Sequence, residues 1–382
     1  KQRRLAKNIG FDAKRAVQNH TGLGNYSRFI KDIRRRYYPA DRYLLYAPRK
    51  RENKELDVLL RRPGVAIRYP SSFWGKQLSS LWRVWGIGKE LRPQGIDLFH
   101  GLSNELPLTI RKSGVRSIVT IHDLTMLRYP QSYPWIDRHI YAYKFRKACL
   151  NSDHIIAVSE TTKKDIMDFW GIPEGKISVV YQGCDPLFKQ PASQELKEEV
   201  RRKYGLPATY ILYVGSIEER KNQLLVARAL RRLPDDVRLV AVGRHTPYTE
   251  KVKAYLRTHR LEERVRLLHG IPLRELPSFY QCASLFVYPS RFEGFGIPII
   301  EAIHSGIPVI AATGSCLEEA GGPSCVYVDP DDADGLAAEI AFILSHPAVA
   351  EKMKAESLAY VQRFSDECIA AAVRRAYDRA LA

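Results

Sequence analysis

Short apolar runs rich in β-branched residues recur along the chain and alternate with longer, charged stretches. The first half contains NIGFDA, RYLLYA, GVAIRYP, IDLFHG, SIVTIHD, DHIIAVS and ISVVYQG, and the second half contains YILYVGS, VRLVAVG, RVRLLHG, SLFVYPS, IPVIAAT and CVYVDP. Runs of this kind are typical of strands buried on both faces of a parallel sheet. Because helix-like stretches separate them, the pattern predicts βαβ units and an α/β fold.

The length of the chain and one interruption of this rhythm predict two domains. The 382 residues suffice for two domains, each of roughly 190 residues. Proline and small polar residues interrupt the pattern in QGCDPLFKQPASQE. We therefore expect domains over residues 1–186 and 187–364, with a ligand cleft outside the carboxyl ends of their strands. Residues 365–382 predict a lone amphipathic helix, since no strand follows them.

The segment SRFEGFGIPIIEA, residues 290–302, joins a predicted buried strand to a predicted helix. Pro298 suits the first position of that helix, and Gly294 and Gly296 permit positive φ and close approach of the backbone. Unpaired N–H groups at a helix start favour phosphate. The segment therefore predicts a phosphate-binding turn.

Two acids, Glu293 and Glu301, flank this turn. A carboxylate accepts hydrogen bonds from hydroxyl groups, as the acid that binds a ribose does in dinucleotide-binding folds. The pair indicates a ligand that carries phosphate between two sugars. A glycine-rich turn with two solvated acids is the alternative interpretation.

Three other strand ends carry candidate chemistry. Gly22 and Gly24 in HTGLGNYSRFI form a short G-x-G signal, for which a tight turn is equally compatible. Arg220 and Lys221 in YVGSIEERKNQ could bind a diphosphate. The alternative is a solvated charged turn, in which the neighbouring glutamates neutralise the two cations. His122 ends a very apolar strand in TIHDLTMLRYP, where polar side chains project into a ligand crevice, whereas a structural histidine is the alternative.

The net charge of +18 is distributed unevenly along the chain. Residues 1–186 hold 34 Lys and Arg against 17 Asp and Glu, a net +17, whereas the remaining residues hold 26 against 25, a net +1. The first half therefore predicts an anionic partner: nucleic acid, a phospholipid surface or a phosphorylated substrate. Without a recognised nucleic-acid motif, and with a balanced second half, nucleic-acid binding is the weakest of the three.

The segment PSSFWGKQLSSLWRVWGIGKE suits a membrane interface or, alternatively, an apolar stripe that faces its own core. Its apolar residues at helical spacing and its cations are Trp74, Leu78, Leu81 or Trp82, Trp85, Lys76, Arg83 and Lys89.

No apolar run of about 18 residues and no signal-peptide pattern occur, so we expect no transmembrane span. Six cysteines without a C-x-x-C pair favour reduced thiols over a disulfide framework. We expect a cytoplasmic protein, peripheral at the inner membrane face.

Taken together, these motifs resemble the retaining glycosyltransferases of family 4, nucleotide-sugar enzymes of GT-B architecture. That architecture implies two Rossmann-like domains whose parallel sheets face a deep interdomain cleft. The resemblance extends from NIGFDAKRAVQNHTGLGNYSR to the terminal helix, and its most specific part is YPSRFEGFGIPIIEAIHSGIPVIAA. Two glutamates separated by seven residues are the family's pattern.

The resemblance implies roles for the residues around the turn. Glu293 is expected near the donor sugar, and Glu301 is expected to bind the ribose hydroxyls. The backbone of Phe295 and Gly296 would meet the sugar and the diphosphate. His122 would contact the donor sugar beside the reacting carbon.

By the same resemblance, Arg220 and Lys221 would bind the diphosphate, and the loop from Gly22 to Gly24 would close over it. Many family members carry an arginine directly after the glycine of the VG strand, where this chain has Ser216 after Gly215. This departure places more of the phosphate binding on the two cations. The terminal helix is expected to cross back onto the first domain.

A serine at position 216, followed further on by RKN, resembles a subset of the family that includes bacterial mannosyltransferases of surface polysaccharide assembly. GDP-mannose is therefore the expected donor, and a UDP-sugar is the alternative. No acid clearly fits the nucleophile of a retaining glycosidase. We therefore expect front-side displacement without a metal, since fixed cations can stabilise the leaving diphosphate.

The expected acceptor is an oligosaccharide or a polyprenyl-diphosphate-linked sugar, held by the basic first domain at an anionic membrane surface. A phosphorylase or a nucleotide-sugar epimerase of the same architecture is the enzymatic alternative, and a basic nucleic-acid-binding protein is the alternative from another class.

Overall fold

The computed structural model describes residues 6–14, 30, 36–50, 57, 60–61, 63–70 and 78–382. Thirteen strands in these residues form two parallel sheets. The chain divides into two compact units, Lys1–Gln182 with Asp366–Ala382 and Gly183–Ser365. Each apolar run noted in the sequence contains one strand, so the predicted α/β fold is confirmed.

The first unit contains a seven-stranded sheet of order β3-β2-β1-β4-β5-β6-β7, in which all neighbours are parallel. The order reverses between β1 and β4, which makes their carboxyl ends a topological switch point. The strands are β1 Asn8–Asp12, β2 Arg42–Tyr46, β3 Val65–Arg68, β4 Leu98–Gly101, β5 Arg116–Ile121, β6 His154–Ala157 and β7 Ile177–Val179.

The helix α5, Glu160–Trp170, is capped at both ends. In α5, the Ser159 side chain accepts a hydrogen bond from the Thr162 N–H at the start, and Gly171 adopts the left-handed conformation at the end. The described helices before the domain boundary are α1 Ser79–Leu81, the π-helical turn Trp82–Gly86, α2 Ile87–Leu91, α3 Thr125–Arg128, α4 Trp135–Asn151 and α5 Glu160–Trp170; 3-10 turns span Ile110–Ser113, Pro130–Ser132 and Glu174–Lys176.

The second unit repeats the arrangement in a six-stranded sheet of order β10-β9-β8-β11-β12-β13, again all parallel. Its switch point lies between β8 and β11. The strands are β8 Ile211–Val214, β9 Leu239–Val242, β10 Val265–Leu268, β11 Leu285–Tyr288, β12 Val309–Ala312 and β13 Val326–Val328.

Eight helices precede, connect or follow the strands of the second unit. They are α6 Gln194–Tyr204, α7 Gln223–Leu230, α8 Tyr248–Thr258, α9 Leu276–Cys282, α10 Ile297–His304, α11 Leu317–Gly321, α12 Ala333–Ser345 and α13 Pro347–Val361, with 3-10 turns at Pro186–Lys189, Glu262–Arg264 and Gln362–Phe364. The chain reverses direction where glycine or proline follows a strand, as the sequence pattern predicts.

The boundary between the units lies at Gln182, slightly before the position expected from the sequence. The residues that follow belong to the second unit because they pack on it. Pro186–Lys189 contacts α10, and the ring of Phe188 meets the ring of Tyr280 edge-on at 5.4 Å. The proline-rich stretch is therefore a packed part of the second unit rather than a linker.

The terminal helix, α14 Asp366–Leu381, packs on the sheet of the first unit. The Tyr377 hydroxyl lies 2.8 Å from Nδ1 of His100, and both side chains are buried. Arg374 forms an ion pair of 3.3 Å with the buried Asp41. Apolar packing and two buried polar contacts thus hold the helix in place.

The segment over residues 70–90 is described at residue 70 and from residue 78 onward, where Leu78, Leu81 and Trp85 are 48%, 44% and 48% exposed. Trp74 and Lys76 lie outside the described residues. Trp82 is buried in the core, whereas Trp85 is 48% exposed. Arg83 is buried in ion pairs with Asp12 and Glu105. This cation therefore stabilises the first unit and does not face outward.

Candidate functional site

The predicted donor residues of the second unit meet at the carboxyl ends of β8 and β11. These strands are neighbours at the switch point of the sheet. The Gly215–Lys221 loop follows β8, and the loop over residues 289–296 follows β11. The backbone N–H of Arg291 donates to the carbonyl of Arg220 at 2.9 Å. Topology thus brings together two loops that are at least 68 residues apart in the sequence.

Glu293 lies at the centre of this cluster, with a side chain only 16% exposed. Its Oε1 lies 3.1 Å from a guanidinium nitrogen of Arg220 and 3.6 Å from Nζ of Lys221. Arg220 also donates to the main-chain carbonyl of Phe292. One carboxylate therefore holds two cations beside the start of α10.

Two hydroxyl groups complete the surroundings of Glu293. Ser290 and Tyr288 donate to its Oε1 at 2.7 and 3.0 Å. Burial would raise the pKa of Glu293, but the charges of Lys221 and Arg220 and these hydrogen bonds lower it to about 2. The carboxylate is therefore ionised throughout the neutral range.

The glutamate that precedes the cations is also engaged. Glu218 accepts a hydrogen bond of 2.6 Å from Ser216, and it lies 3.7 Å from Arg220 and 3.4 Å from Arg244. The partial neutralisation expected from the sequence is thus present, but the closest carboxylate to Arg220 is Glu293. The hydroxyl of Ser216 therefore helps to hold the Glu218 side chain in place.

The turn into α10 depends on Gly296, which has φ +112° and precedes the first helical residue. A side-chain carbon there would lie 2.9 Å from Leu317, so glycine is required for both conformation and space. Pro298 is the second helical residue rather than the first, and Gly294 does not have positive φ. The thiol of Cys316 donates to the carbonyls of Glu293 and Phe295 at 3.0 and 3.2 Å.

Glu301 lies further along α10 in different surroundings. Tyr280 donates a hydrogen bond of 2.8 Å to its Oε2. Burial raises the pKa of Glu301 to about 7, and the negative charge of Asp185 acts in the same direction, while the Tyr280 bond opposes both. The two glutamates of the motif therefore differ in charge near neutral pH.

A cavity of about 560 Å³ adjoins the loop after β8. Gly215 and Ser216 line it together with His245, His269 and Ile271. The imidazole centroids of the two histidines are 4.4 Å apart. Two predicted donor residues therefore open onto a space large enough for part of a nucleotide.

His122 belongs to the first unit and is buried. Its Nε2–H donates to the carbonyl of Leu102 at 2.8 Å, and Gln182 donates to Nδ1 at 3.0 Å. Burial lowers the pKa of the imidazole, which is therefore neutral. Both ring nitrogens have protein partners, so its role toward a sugar remains a prediction. Gly22 and Gly24 lie outside the described residues.

Sequence reasoning missed the residues that support the predicted ones. Tyr288, Ser290 and Tyr280 donate to the two glutamates, and Cys316 donates to the turn. Tyr288 lies in an apolar strand and Tyr280 in a different helix from Glu301, so neither has a spacing signal that links it to an acid.

Three features of the described residues bear on metal binding, membrane spanning and thiol chemistry. In the described part of the chain, no three or more His, Cys, Asp or Glu side chains are grouped to hold a metal ion. Among the same residues, no helix is both long and apolar enough to cross a bilayer. All six cysteines are free thiols.

The fold is shared with proteins of known structure. The chain is similar to HepE of Anabaena in complex with UDP and glucose, with a TM-score of 0.76 at 17% identity, over 97% of this chain and 99% of that one. At this identity the likeness shows the fold. The predicted GT-B class is thereby confirmed.

The sequence carries the family relationship. Residues 26–187 match Glycosyltransferase Family 4, and residues 197–358 match Glycosyl transferases group 1. O-antigen chain mannosyltransferase B of Escherichia coli is 30% identical over 276 residues, which are 71% of each chain. O-antigen chain mannosyltransferase RfbU of Salmonella typhimurium is 29% identical over 214 residues, 56% of this chain and 57% of that protein. This chain therefore belongs to the family 4 glycosyltransferases and is related to O-antigen mannosyltransferases.

Proposed function

We propose that the protein is a retaining hexosyltransferase that moves mannose from GDP-mannose to a lipid-linked or oligosaccharide acceptor in surface polysaccharide biosynthesis. The observation that carries this proposal is the convergence of Arg220 and Lys221 on Glu293 at the start of α10. Mannose is favoured because both relatives described above are named mannosyltransferases.

The two cations would bind the donor diphosphate. A guanidinium and an ammonium group placed beside a helix start make a strongly anion-binding arrangement. In the structure their charge is balanced by Glu293, which has a pKa of about 2. The diphosphate would share the cations with Glu293, which leaves a fixed negative charge close to the donor sugar.

The remaining parts of the donor would occupy the neighbouring features. Glu301 would accept hydrogen bonds from the ribose hydroxyls when it is ionised. The cavity lined by Gly215, Ser216 and His245 would hold the rest of the nucleoside. This places sugar, diphosphate and nucleoside along the carboxyl edge of one sheet.

The chemistry would proceed on one face of the donor sugar. The acceptor oxygen forms a bond to the anomeric carbon as the bond from that carbon to the diphosphate oxygen breaks. The acceptor proton passes to the departing diphosphate oxygen, so no separate base is needed. Arg220 and Lys221 stabilise the charge that develops on the diphosphate. Because fixed cations supply this stabilisation, we propose metal-independent transfer.

The acceptor would be recognised by the first unit. Residues 1–186 carry a net charge of +17, whereas the remainder carries +1. A basic surface suits a polyprenyl-diphosphate-linked acceptor at an anionic bilayer. We propose that the protein acts as a peripheral protein at such a surface.

Donor hydrolysis and thermal shift test the proposal, with GDP-mannose, UDP-glucose, UDP-galactose, UDP-GlcNAc and ADP-glucose as ligands. Glu301→Ala should lose the shift, whereas the exposed Glu262→Ala serves as the matched control. A shift confined to GDP-mannose and unchanged by a chelator supports the proposal. The absence of any shift or hydrolysis with all five donors would overturn it.

A UDP-sugar-dependent hexosyltransferase is the second candidate. It is favoured by the likeness to HepE, whose structure holds UDP and glucose. A shift and hydrolysis with one UDP-sugar and none with GDP-mannose would select this candidate.

A further inference from the structure

Helix α4, Trp135–Asn151, carries an exposed apolar stripe along its outer face. Ile136, Tyr143 and Leu150 are spaced seven residues apart and are 65%, 57% and 37% exposed. Residues at this spacing lie almost directly above one another on a helix. Trp135 and Ile140, at 68% and 45% exposed, widen the stripe. The outer face is therefore apolar over most of the length of the helix.

The opposite face of α4 accounts for its packing in the first unit. Ala148 and Cys149 are buried, and Tyr141 and Phe145 pack against the same cluster of core side chains. The helix is thus apolar on two opposite sides, and one of them is already used by the core. Nothing in the packing of the described residues explains the outer stripe.

Cations lie within and beside the outer stripe. Lys147 lies on the same face as Tyr143, with its Nζ 5.7 Å from the centroid of that ring. Arg146 is exposed on the other side of the stripe. The helix contains four Lys and Arg, namely Arg138, Lys144, Arg146 and Lys147, against the single acid Asp137.

We propose that the outer face of α4 is the surface by which the first unit docks on an anionic phospholipid bilayer. Tryptophan, tyrosine and isoleucine at the centre of a helix face suit the boundary between headgroups and acyl chains. Bordering lysine and arginine side chains reach the headgroups, and each contributes about fivefold in affinity. The helix lies in the interface and does not cross it.

Charge distinguishes this occupant from a second copy of the chain. The seven-residue spacing would also suit a helix–helix contact. Two copies of α4, however, would bring two cationic borders together, and like charges at such a contact are unfavourable. The same borders are complementary to anionic lipid. The bilayer is therefore the occupant that both the apolar residues and the charge favour.

The α4 face is separate from the segment over residues 70–90, which the sequence also suggested for membrane contact. In that segment Trp82 and Arg83 are buried, while Leu78, Leu81 and Trp85 are exposed, as are the apolar residues of the α4 stripe. The docking proposal rests on the proposed function in one respect: a lipid-linked acceptor would lie in the bilayer on which α4 docks. Donor binding belongs to the second unit and does not depend on it.

Vesicle flotation tests the docking face, with phosphatidylcholine vesicles and vesicles of phosphatidylcholine mixed with phosphatidylglycerol. The double variant Ile136→Glu/Tyr143→Glu is compared with Leu273→Glu/Leu358→Glu, which changes two exposed apolar residues of the second unit. We expect the unchanged protein to float with the anionic vesicles and not with the neutral ones. The α4 variant should lose at least tenfold in bound fraction, while the control variant binds normally.

Hydrolysis of the donors without vesicles, together with light scattering, is measured on the same preparations. An unchanged circular dichroism melt of the α4 variant shows that its first unit is folded, and normal hydrolysis separates loss of docking from loss of the proposed function. Equal flotation of the unchanged protein and the α4 variant would overturn the proposal. The proposal would also be overturned if the unchanged protein did not float with anionic vesicles. In that case, a dimer seen by light scattering and abolished in the variant would identify the outer face of α4 as a contact between two copies of the chain.

Discussion

The carboxylate of Glu293 lies 3.1 Å from the guanidinium of Arg220, although the two residues follow different strands. The pair joins the motif after β8 to the motif after β11 at the switch point of the second sheet. Lys221 adds a second cation at 3.6 Å. In a family 4 glycosyltransferase this cluster is the place where we expect the donor diphosphate to bind.

Replacing Arg220 should impair transfer more than folding. Arg220→Ala removes a fixed cation from the expected leaving group, and the loss of one such group costs about 100- to 1,000-fold in kcat. Arg232→Ala is the control, since it breaks an exposed pair with Asp334. Steady-state transfer assays with a thermal melt of each variant check this expectation. Equal activity of the two variants would contradict a role of Arg220 in catalysis.

Tyr288→Phe should weaken the site without removing a charge. It deletes the 3.0 Å hydrogen bond to Glu293, one of the contacts that lower the pKa of this acid. A lost hydrogen bond to a charged group costs about 1.5–3 kcal/mol. We expect reduced stability and a higher donor KM. Tyr204→Phe deletes a similar bond to Glu275 away from the cluster and should leave the donor KM unchanged.

Donor affinity should depend on pH through Glu301. Its pKa is about 7, so the carboxylate forms as the pH rises through neutrality. Because the ionised form accepts hydrogen bonds from both ribose hydroxyls, donor affinity should increase from about pH 6 to pH 8. Isothermal titration across this range measures the dependence. In Glu301→Gln the affinity should be lower and flat with pH, and a slope preserved in this variant would assign the titration to another group.

Gly296→Ala should damage both the fold and donor binding. The substitution forces a side chain into φ +112° and places its carbon 2.9 Å from Leu317. A strained backbone position of this kind costs about 1–3 kcal/mol. Gly306→Ala is matched, because φ is +76° there and no atom lies within 4 Å of the added carbon. Urea unfolding and donor titration should show that only Gly296→Ala loses donor affinity.

The terminal helix should stabilise the first unit through a buried polar contact. Tyr377→Phe removes the hydroxyl that lies 2.8 Å from His100. Leaving a buried polar atom without this partner costs about 1–3 kcal/mol in free energy of unfolding. Tyr255→Phe is the control, since its ring also lies against a histidine, His259, in the second unit. Chemical denaturation followed by circular dichroism compares the two. Identical midpoints would show that the contact contributes nothing.

The amino-acid pattern is enough to predict the two-sheet α/β architecture, because apolar runs that alternate with helix-like stretches are typical of parallel strands covered by helices on both faces. The sequence also identified the glutamate pair and the two cations as candidate site residues. Glycine, proline and charged residues directly after a predicted strand mark a turn, and the conformation of a turn depends on its local sequence. Tertiary structure alone decided which residues meet. Tyr288 and Tyr280 are ordinary apolar positions in sequence, and they become donors to Glu293 and Glu301 only through packing.

The same distinction explains the charge of the two acids and the exposed face of α4. A pKa depends on burial and on neighbours distant in sequence, so similar glutamates with seven residues between them reach values of about 2 and about 7. A stripe on a helix can face the core or the outside, and composition does not distinguish the two. Only the packed structure shows that Trp82 is inside and Ile136 outside, because burial is a property of the assembled chain.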